Sequence, residues 1–136
     1  MFIVLGATGH VGSATAETLL KQGETVTVVT RDAEKAELLQ KLGAEIAVAD
    51  VHDVETMRNV FRFGKRLFLL NPPAAPDTDT DQTEKETVRH LLAAVDGSGL
   101  DKIVAESTYG AQRGDHLGDM NTLYEMEQGL KAQSIP

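Results

Sequence analysis

The amino-acid sequence predicts an α/β fold with a doubly wound parallel sheet, and two observations carry this prediction. Short apolar runs alternate five times with longer segments in which apolar residues recur at helical spacing. The apolar runs lack the alternation of a strand with one wet face, which indicates strands covered by helices on both sides. The 136 residues contain no low-complexity linker, so we predict a single domain over residues 1–136.

Five strands and five helices are predicted in alternation. The strands are the apolar runs Phe2–Leu5, Thr25–Val29, Glu45–Ala49, Arg66–Leu70 and Lys102–Ala105. Each predicted helix has an apolar face that we expect to be buried. On the first two helices these residues are Val11, Ala14, Thr18 and Leu19, and Ala36, Leu39 and Leu42. On the last three they are Met57, Val60 and Phe61; Val88, Leu91, Leu92 and Val95; and Leu123, Met126 and Leu130.

Aspartates and glycines mark where these helices begin and end. Asp32 and Asp53 are placed to cap the second and third helices. The fourth helix begins near Asp81, with Glu84 at capping-box spacing. The residues expected to stop the first three helices are Gly23, Gly43 and Gly64.

Composition and charge exclude several classes of function. Thirteen Lys and Arg against 21 Asp and Glu give a net charge of −8, whereas direct binding to nucleic acid or to an anionic membrane requires a basic face. The sequence has no cysteine, which excludes disulfides, thiolate zinc sites and a cysteine nucleophile. His52, His90 and His116 have no mutual ligand spacing, so no metal site is predicted. The first residues lack the basic segment of a signal peptide, and we expect a cytoplasmic protein.

A glycine-rich loop connects the first predicted strand to the first helix. It reads Gly6-Ala7-Thr8-Gly9-His10-Val11-Gly12. In a dinucleotide site such glycines allow a tight turn, close approach of the backbone to the pyrophosphate, and close packing of helix on strand. The N-terminus of the helix then offers free amides and a partial positive charge to the phosphates. The position of the loop favours dinucleotide binding over a simple turn, with His10 either a phosphate contact or a spacer.

The sequence resembles the extended and atypical short-chain dehydrogenase/reductases, through Ala7 and Thr8 between the first two glycines. Three strand ends narrow the resemblance to the NmrA-like branch, which includes quinone-reductase-like enzymes; they are Thr30-Arg31-Asp32, Leu69-Leu70-Asn71-Pro72-Pro73 and Ser107-Thr108. The resemblance implies a Rossmann-like NAD(P)-binding fold, which usually has six strands. With five visible, we expect the sixth strand and the C-terminal substrate region to be absent, either because the chain is a fragment or because it is a natural short form.

This resemblance also implies roles for individual residues. It places Arg31 near the adenosine ribose, and Asp50 and Val51 beside the adenine. It places Asn71 and Pro72 along the path to the nicotinamide. Residues implied at the pyrophosphate are Gly6, Ala7, Thr8, Gly9, His10 and Val11, and Gly12 completes the cofactor-binding loop.

An arginine at the end of the second strand favours NADP over NAD as the cofactor. NAD binders usually end this strand with a carboxylate that holds the ribose 2′-hydroxyl, whereas an arginine suits a 2′-phosphate. Asp32 already has a use as a helix cap, which favours Arg31 as the phosphate ligand. The alternative is that Arg31 is solvated and Asp32 serves the ribose, with NAD as the cofactor. Asp50 is equally well explained as a turn residue.

The catalytic residues implied by the family are only partly present. Short-chain reductases usually employ a tyrosine as the acid, with a lysine four residues later on the same helical face. Tyr124 stands at the tyrosine position, but Gln128 stands where the lysine is expected. Without that positive charge a phenol is a poor acid at neutral pH. Tyr124 is therefore either catalytic or a partly buried helix residue, and Ser107 can hydrogen-bond a carbonyl.

Two functions are compatible with these residues. The first is an NADP(H)-dependent oxidoreductase that transfers a hydride to a small acceptor such as a quinone. The second is a non-catalytic sensor that binds NAD(P) and reports redox state to a regulatory protein partner. Tyr124 favours the enzyme and Gln128 favours the sensor. Either function is compatible with a homo-oligomer, and the sequence names no substrate.

Overall fold

The computed structural model describes residues 1–136 as one sheet with helices on both faces. The strands are β1 (Phe2–Val4), β2 (Val26–Thr30), β3 (Glu45–Val48), β4 (Arg66–Leu69) and β5 (Lys102–Ala105). The helices are α1 (His10–Lys21), α2 (Glu37–Lys41), α3 (Val54–Phe63), α4 (Thr80–Val95) and α5 (Asp119–Lys131), with a 3₁₀ turn at Glu34–Ala36. None of the helices is both long enough and apolar enough to cross a bilayer. The predicted doubly wound α/β fold is confirmed.

The five strands are parallel and lie in the order β3-β2-β1-β4-β5. Central β1 places Ile3 opposite Thr27 of β2 on one side and opposite Leu67 of β4 on the other. The order reverses between β1 and β4, because the chain first adds two strands on one side of β1 and then crosses to the other. Open parallel sheets bind ligands at the carboxyl ends of their strands, at such a reversal. This edge of the sheet is therefore where a site is expected.

Each face of the sheet has its own hydrophobic core, because successive residues of a strand point to opposite faces. Val4 lies in a buried cluster with Ala16 of α1 and Leu39 of α2. Its neighbour Ile3 lies in a second cluster whose helical members come from α3, α4 and α5; they include Met57, Phe61, Val88, Leu91 and Met126. The helices α1 and α2 therefore cover one face, and the other three helices cover the opposite face.

The second helix is shorter than predicted and does not begin at Asp32. The Asp32 carboxylate accepts from the Glu34 amide at 3.1 Å, two residues on, and so closes a tight turn in place of a helix cap. A 3₁₀ turn follows, and Ala36 leaves helical geometry with φ −101° and ψ 4° before α2 begins. Leu42, predicted to be buried, is 48% exposed because α2 ends at the residue before it.

The fourth helix begins at Thr80, next to the predicted Asp81, but its cap is Asp79 and not Asp81. The Asp79 carboxylate accepts from the Gln82 amide at 3.1 Å, whereas Asp81 pairs with Lys85 at 2.8 Å. Glu84 does not complete a capping box, because its carboxylate accepts from the amide of Ala74 at 3.0 Å. The side chain of Glu84 therefore holds the loop that precedes α4.

The predicted cap of α3 is confirmed. The carboxylate of Asp53 accepts from the backbone amide of Thr56 at 3.0 Å and from its hydroxyl at 2.7 Å. These hydrogen bonds hold the pKa of Asp53 below its ordinary value, and the bond from the Thr56 backbone amide has the largest effect. The cap fixes the turn between β3 and α3, which lies at the carboxyl edge of the sheet.

Candidate functional site

The glycine loop forms a tight turn directly after β1. Gly6 adopts a left-handed φ of +65°, and its carbonyl oxygen accepts from the Gly9 amide at 2.9 Å. A Cβ on Gly12 would overlap that same carbonyl oxygen, so only a glycine lets α1 start this close to the loop. Gly6 and Gly12 therefore determine the shape of the loop from within.

The N-terminus of α1 differs from that of the other α-helices. Each of α2, α3, α4 and α5 has an acidic residue in its first turn, whereas α1 has none and lacks a side-chain cap. The first backbone amide of α1 with an acceptor in the chain is that of Ser13, which donates to Gly9 at 3.0 Å. The helix thus keeps free amides and an uncompensated positive end, which favour an anion.

A cavity of about 320 Å³ lies beside this loop, where the first four strands end. Of the predicted cofactor residues, five line it: Gly6, Thr8, Arg31, Val51 and Pro72. The remaining loop residues do not line it, and of these Gly9, His10 and Val11 are exposed whereas Gly12 is buried. Ala7 is buried in the core next to α1, so only its backbone is available to a ligand. The structure thus brings residues from four strand ends to one cavity.

Asp50 and Asn71 flank the cavity without lining it. The Asp50 carboxylate accepts from the His52 amide at 2.9 Å, which is the turn-residue arrangement considered for it above. Asn71 donates from Nδ2 to the Glu84 carbonyl at 3.4 Å, and its buried Oδ1 has no partner in the chain. An orphaned buried acceptor is costly, and a ligand that donates a hydrogen bond would satisfy it.

Two cations stand together at the end of β2. Lys35 lines the same cavity as Arg31, and neither residue forms an ion pair within the chain. Sequence reasoning missed Lys35, although its spacing of four residues from Arg31 was a usable signal. The pair offers two positive charges outside any ion pair to an anionic group, and Asp32 lines the same cavity with one negative charge.

Tyr124 lies in a different cavity. This second cavity, of about 780 Å³, is lined by Lys85 of α4, by residues of α5 that include Tyr124 and Gln128, and by the loop before α5. It shares no lining residue with the cavity beside the glycine loop. Ser107 lines neither cavity, and its hydroxyl donates to Glu127 at 2.6 Å.

Glu84 lies between the loop at Ala74 and the start of α5. Burial raises the pKa of Glu84, the amide of Ala74 lowers it, and the nearby Asp119 carboxyl raises it further. Ala74 lines the first cavity, and Asp119 begins α5, whose residues line the second. Sequence reasoning assigned Glu84 only a capping role, because the fold alone brings it to these neighbours.

The residues around the first cavity fit a dinucleotide. The free amides of α1 suit a pyrophosphate, and a Cβ at Gly9 would meet only the Gly6 carbonyl oxygen, at 3.4 Å, so the outer side of the loop is open. The strand order, the reversal at β1 and β4, and this loop define a dinucleotide-binding α/β domain of the Rossmann type. A family model described as NAD(P)H-binding matches residues 6–134, and the chain belongs to this family.

Two curated relatives match the chain in sequence. The photosystem II assembly factor Ycf39 of Guillardia theta is 27% identical over 136 residues, which are 98% of this chain and 43% of that protein. Cinnamoyl-CoA reductase 1 of Oryza sativa subsp. japonica is 31% identical over 115 residues, which are 79% of this chain and 34% of that protein. The chain thus spans less than half the length of these relatives.

Solved structures match the fold over nearly the whole chain. Triphenylmethane reductase of Citrobacter sp., complexed with NADP(H), has a TM-score of 0.83 at 19% identity and covers 100% of this chain and 47% of that one. The NADPH-dependent quinone oxidoreductase QOR2 of Escherichia coli, complexed with NADPH, has a TM-score of 0.81 at 23% identity and covers 99% of this chain and 46% of that one. The NAD(P)H-binding family and the Rossmann-like fold that the resemblance implies are confirmed.

Proposed function

We propose that the protein is an NADP(H)-dependent oxidoreductase that reduces a small acceptor such as a quinone. The observation that carries this proposal is the open N-terminus of α1, which lacks an acid and a cap, beside a cavity that also contains Arg31 and Lys35. A bound dinucleotide supplies the hydride chemistry, and the chain supplies binding and orientation.

The chain's own groups divide this work by position. The amides at the start of α1 would hold the pyrophosphate, and Arg31 and Lys35 the 2′-phosphate that distinguishes NADP from NAD. Val51 would contact the adenine, as the family resemblance implies. Asn71 and Pro72, at the end of β4, would border the nicotinamide, and the unpartnered Oδ1 of Asn71 would accept a hydrogen bond from it.

The quinone-type acceptor is proposed from chemistry and from likeness. A reactive acceptor needs little help from a protein acid, and Gln128 removes the positive charge that would assist Tyr124. The two solved reductases named above are complexed with NADP(H) and NADPH, which supports the same cofactor here. Ser107 would play at most an auxiliary role, since its hydroxyl already donates to Glu127.

The second candidate is a non-catalytic NAD(P) sensor that acts through a protein partner, and the absence of the family's lysine at Gln128 favours it. Calorimetric binding of NADPH followed by a steady-state assay with a panel of quinones separates the two candidates. We expect NADPH binding with quinone-dependent oxidation of NADPH. Binding without turnover on any quinone would favour the sensor, and absence of binding would contradict both candidates.

A further inference from the structure

His52 and His90 meet beside the first cavity, although they are 38 residues apart in the chain. Their Nδ1 atoms lie 3.0 Å from each other, and the rings stand at 87° with their centroids 5.2 Å apart. This centroid separation is close to the N–N distance plus the two ring radii, so both nitrogens lie almost on the line between the ring centres. If the two imidazoles bound one metal ion, their lone pairs would instead both point to the metal, away from the line between the rings. The arrangement is that of a direct hydrogen bond.

Only one hydrogen fits between these two nitrogens. A neutral imidazole carries a hydrogen on one ring nitrogen, and an imidazolium carries one on each. The contact therefore requires one Nδ1–H and one bare Nδ1. Two neutral rings of opposite tautomer satisfy this requirement, and so does one neutral ring with one charged ring. Two charged rings oppose hydrogen to hydrogen and charge to charge, so the second protonation breaks the contact.

The pair ties the cavity wall to α4. His52 and its neighbour Val51 both line the cavity, in the turn between β3 and α3. Within this turn the amide of His52 donates to the Asp50 carboxylate, and the amide of Asp53 donates to the Asp50 carbonyl at 3.0 Å. His90 is half-buried on α4. Its imidazole thus holds the turn from a helix that is itself packed against α3 and α5.

We propose that His90 is a positioning residue for dinucleotide binding. It holds His52 and the turn at residues 50–53 against α4, and the second protonation of the pair releases this turn and weakens binding. The inference rests on the proposed function, because the turn affects a ligand only if the cavity takes the dinucleotide.

Most charged groups near the pair on the neighbouring elements already have partners. On the turn, Asp53 accepts from Thr56 and Asp50 accepts from the His52 amide, not from the ring. On α3, Arg58 pairs with Glu55 and donates to backbone carbonyls near the end of α4. On α4, Glu86 accepts from Gln82, and Arg89 precedes His90 in an exposed position.

The test compares NADP⁺ affinity between about pH 8 and pH 5, where histidine changes charge, in the parent and in His90→Asn. Both proteins should lose affinity toward pH 5, because the 2′-phosphate of NADP⁺, whose second pKa is about 6, takes up a proton in this range. The parent is expected to lose about three- to tenfold more than His90→Asn, the size of one neutral hydrogen bond. An asparagine amide can donate or accept at the Nδ1 position at any pH, so His90→Asn should bind like the parent at the upper pH.

Two further variants distinguish the hydrogen bond of His90 from the space that its ring fills. His90→Phe retains the ring without its nitrogens and should bind about three- to tenfold more weakly than the parent already at the upper pH. His116→Asn is the matched control, since it removes an exposed histidine outside the cavity at a positive φ of 58° that asparagine adopts readily. The control should keep the pH profile of the parent.

Ring ¹⁵N NMR of the four histidines gives a readout that does not depend on the cofactor. At the upper pH one ring of the pair should carry its hydrogen on Nδ1 and the other on Nε2. Two Nε2–H rings in a parent that binds NADP⁺, or the same acid loss in the parent and in His90→Asn, would overturn the proposal alone. Opposite tautomers in a parent that binds no NADP⁺ would overturn the proposed function and the cofactor role of the pair with it.

Discussion

The cavity beside the glycine loop and the cavity around Tyr124 are formed by different parts of the chain. The first lies where four parallel strands end, and Gly6 and Thr8 of the glycine loop line it. The second is formed by side chains of α4, α5 and the preceding loop, and seven of its eight lining residues are not hydrophobic. The loop next to the first cavity depends on correctly spaced glycines, whereas the wall of the second depends on the identity of each side chain.

Charge separates the two cavities in the same way. Arg31 and Lys35 at the first cavity form no ion pair, and Asp32 is the only carboxylate that lines it. The second cavity has two cations, Lys85 and Arg113, and two carboxylates, Asp115 and Glu125. Lys85 is also held by Asp81 at 2.8 Å. Lys85 donates this hydrogen bond to the Asp81 carboxylate, which raises the pKa of Lys85. The first cavity is therefore prepared for an anion, and the second offers a mixed polar surface.

The largest expected effect comes from filling the space in front of α1. Gly9 has φ −99° and ψ 178°, an extended geometry that valine favours, and a Cβ there meets no backbone or side chain closely enough to clash. Gly9→Val should therefore fold, while its methyl groups occupy the place of the pyrophosphate. We expect NADPH binding to fall below detection by calorimetry.

Ala14→Val is the control for this variant, because it adds the same branched side chain at an exposed position farther along α1. It should bind NADPH like the parent. Equal affinity of Gly9→Val and the parent, with unchanged melting temperatures, would place the dinucleotide elsewhere and remove the contrast between the two cavities.

The next effect concerns the choice between NADP and NAD. Arg31→Ala should weaken NADPH by about 10- to 150-fold and NADH little, since a charge-assisted contact to the 2′-phosphate is lost. Lys35→Ala should act in the same direction with a smaller loss. Lys41→Ala, which removes an exposed cation paired with Glu37, is the matched control and should leave both affinities unchanged. A similar loss for both cofactors would show that Arg31 does not contact the 2′-phosphate.

Sequence predicts the first cavity better than the second, and the residues explain why. The loop at residues 6–12 and the apolar strands are local signals, and each predicted strand end lies within one residue of the observed one. The second helix was misjudged because Asp32 closes a turn at Glu34, a local competition that apolar periodicity does not report. The contacts between His52 and His90 and between Ser107 and Glu127 join distant segments. Such contacts form only when the elements pack together in the fold, so no spacing pattern in the sequence predicts them.

Substitution of Tyr124 tests whether the second cavity contains the general acid of the reaction. If bare hydride transfer to a quinone suffices, Tyr124→Phe should cost less than about tenfold in turnover, whereas loss of a general acid costs about 10²–10⁴-fold. Gln128→Lys places an ammonium one helical turn from the phenol and should raise turnover of carbonyl substrates only if Tyr124 is the acid. Tyr109→Phe, at a fully exposed tyrosine, is the control. A loss above about a hundredfold for Tyr124→Phe, with NADPH affinity unchanged, would make the second cavity catalytic.

The smallest effect is a pH dependence of stability at Glu84, which lies between the loop at Ala74 and the start of α5. Burial raises the pKa of its carboxyl, so the folded chain holds this proton more tightly than the unfolded chain does. The free energy of unfolding therefore falls as the pH rises from the ordinary carboxyl range through the raised pKa of the folded state.

Glu84→Gln does not titrate and can still accept from the Ala74 amide, so denaturant unfolding across this pH range should lack that fall. Glu86→Gln, on the same helix, should unfold with the pH profile of the parent. A profile of Glu84→Gln that matches the parent would mean that the loop over the first cavity and the start of α5 are not coupled through this carboxyl.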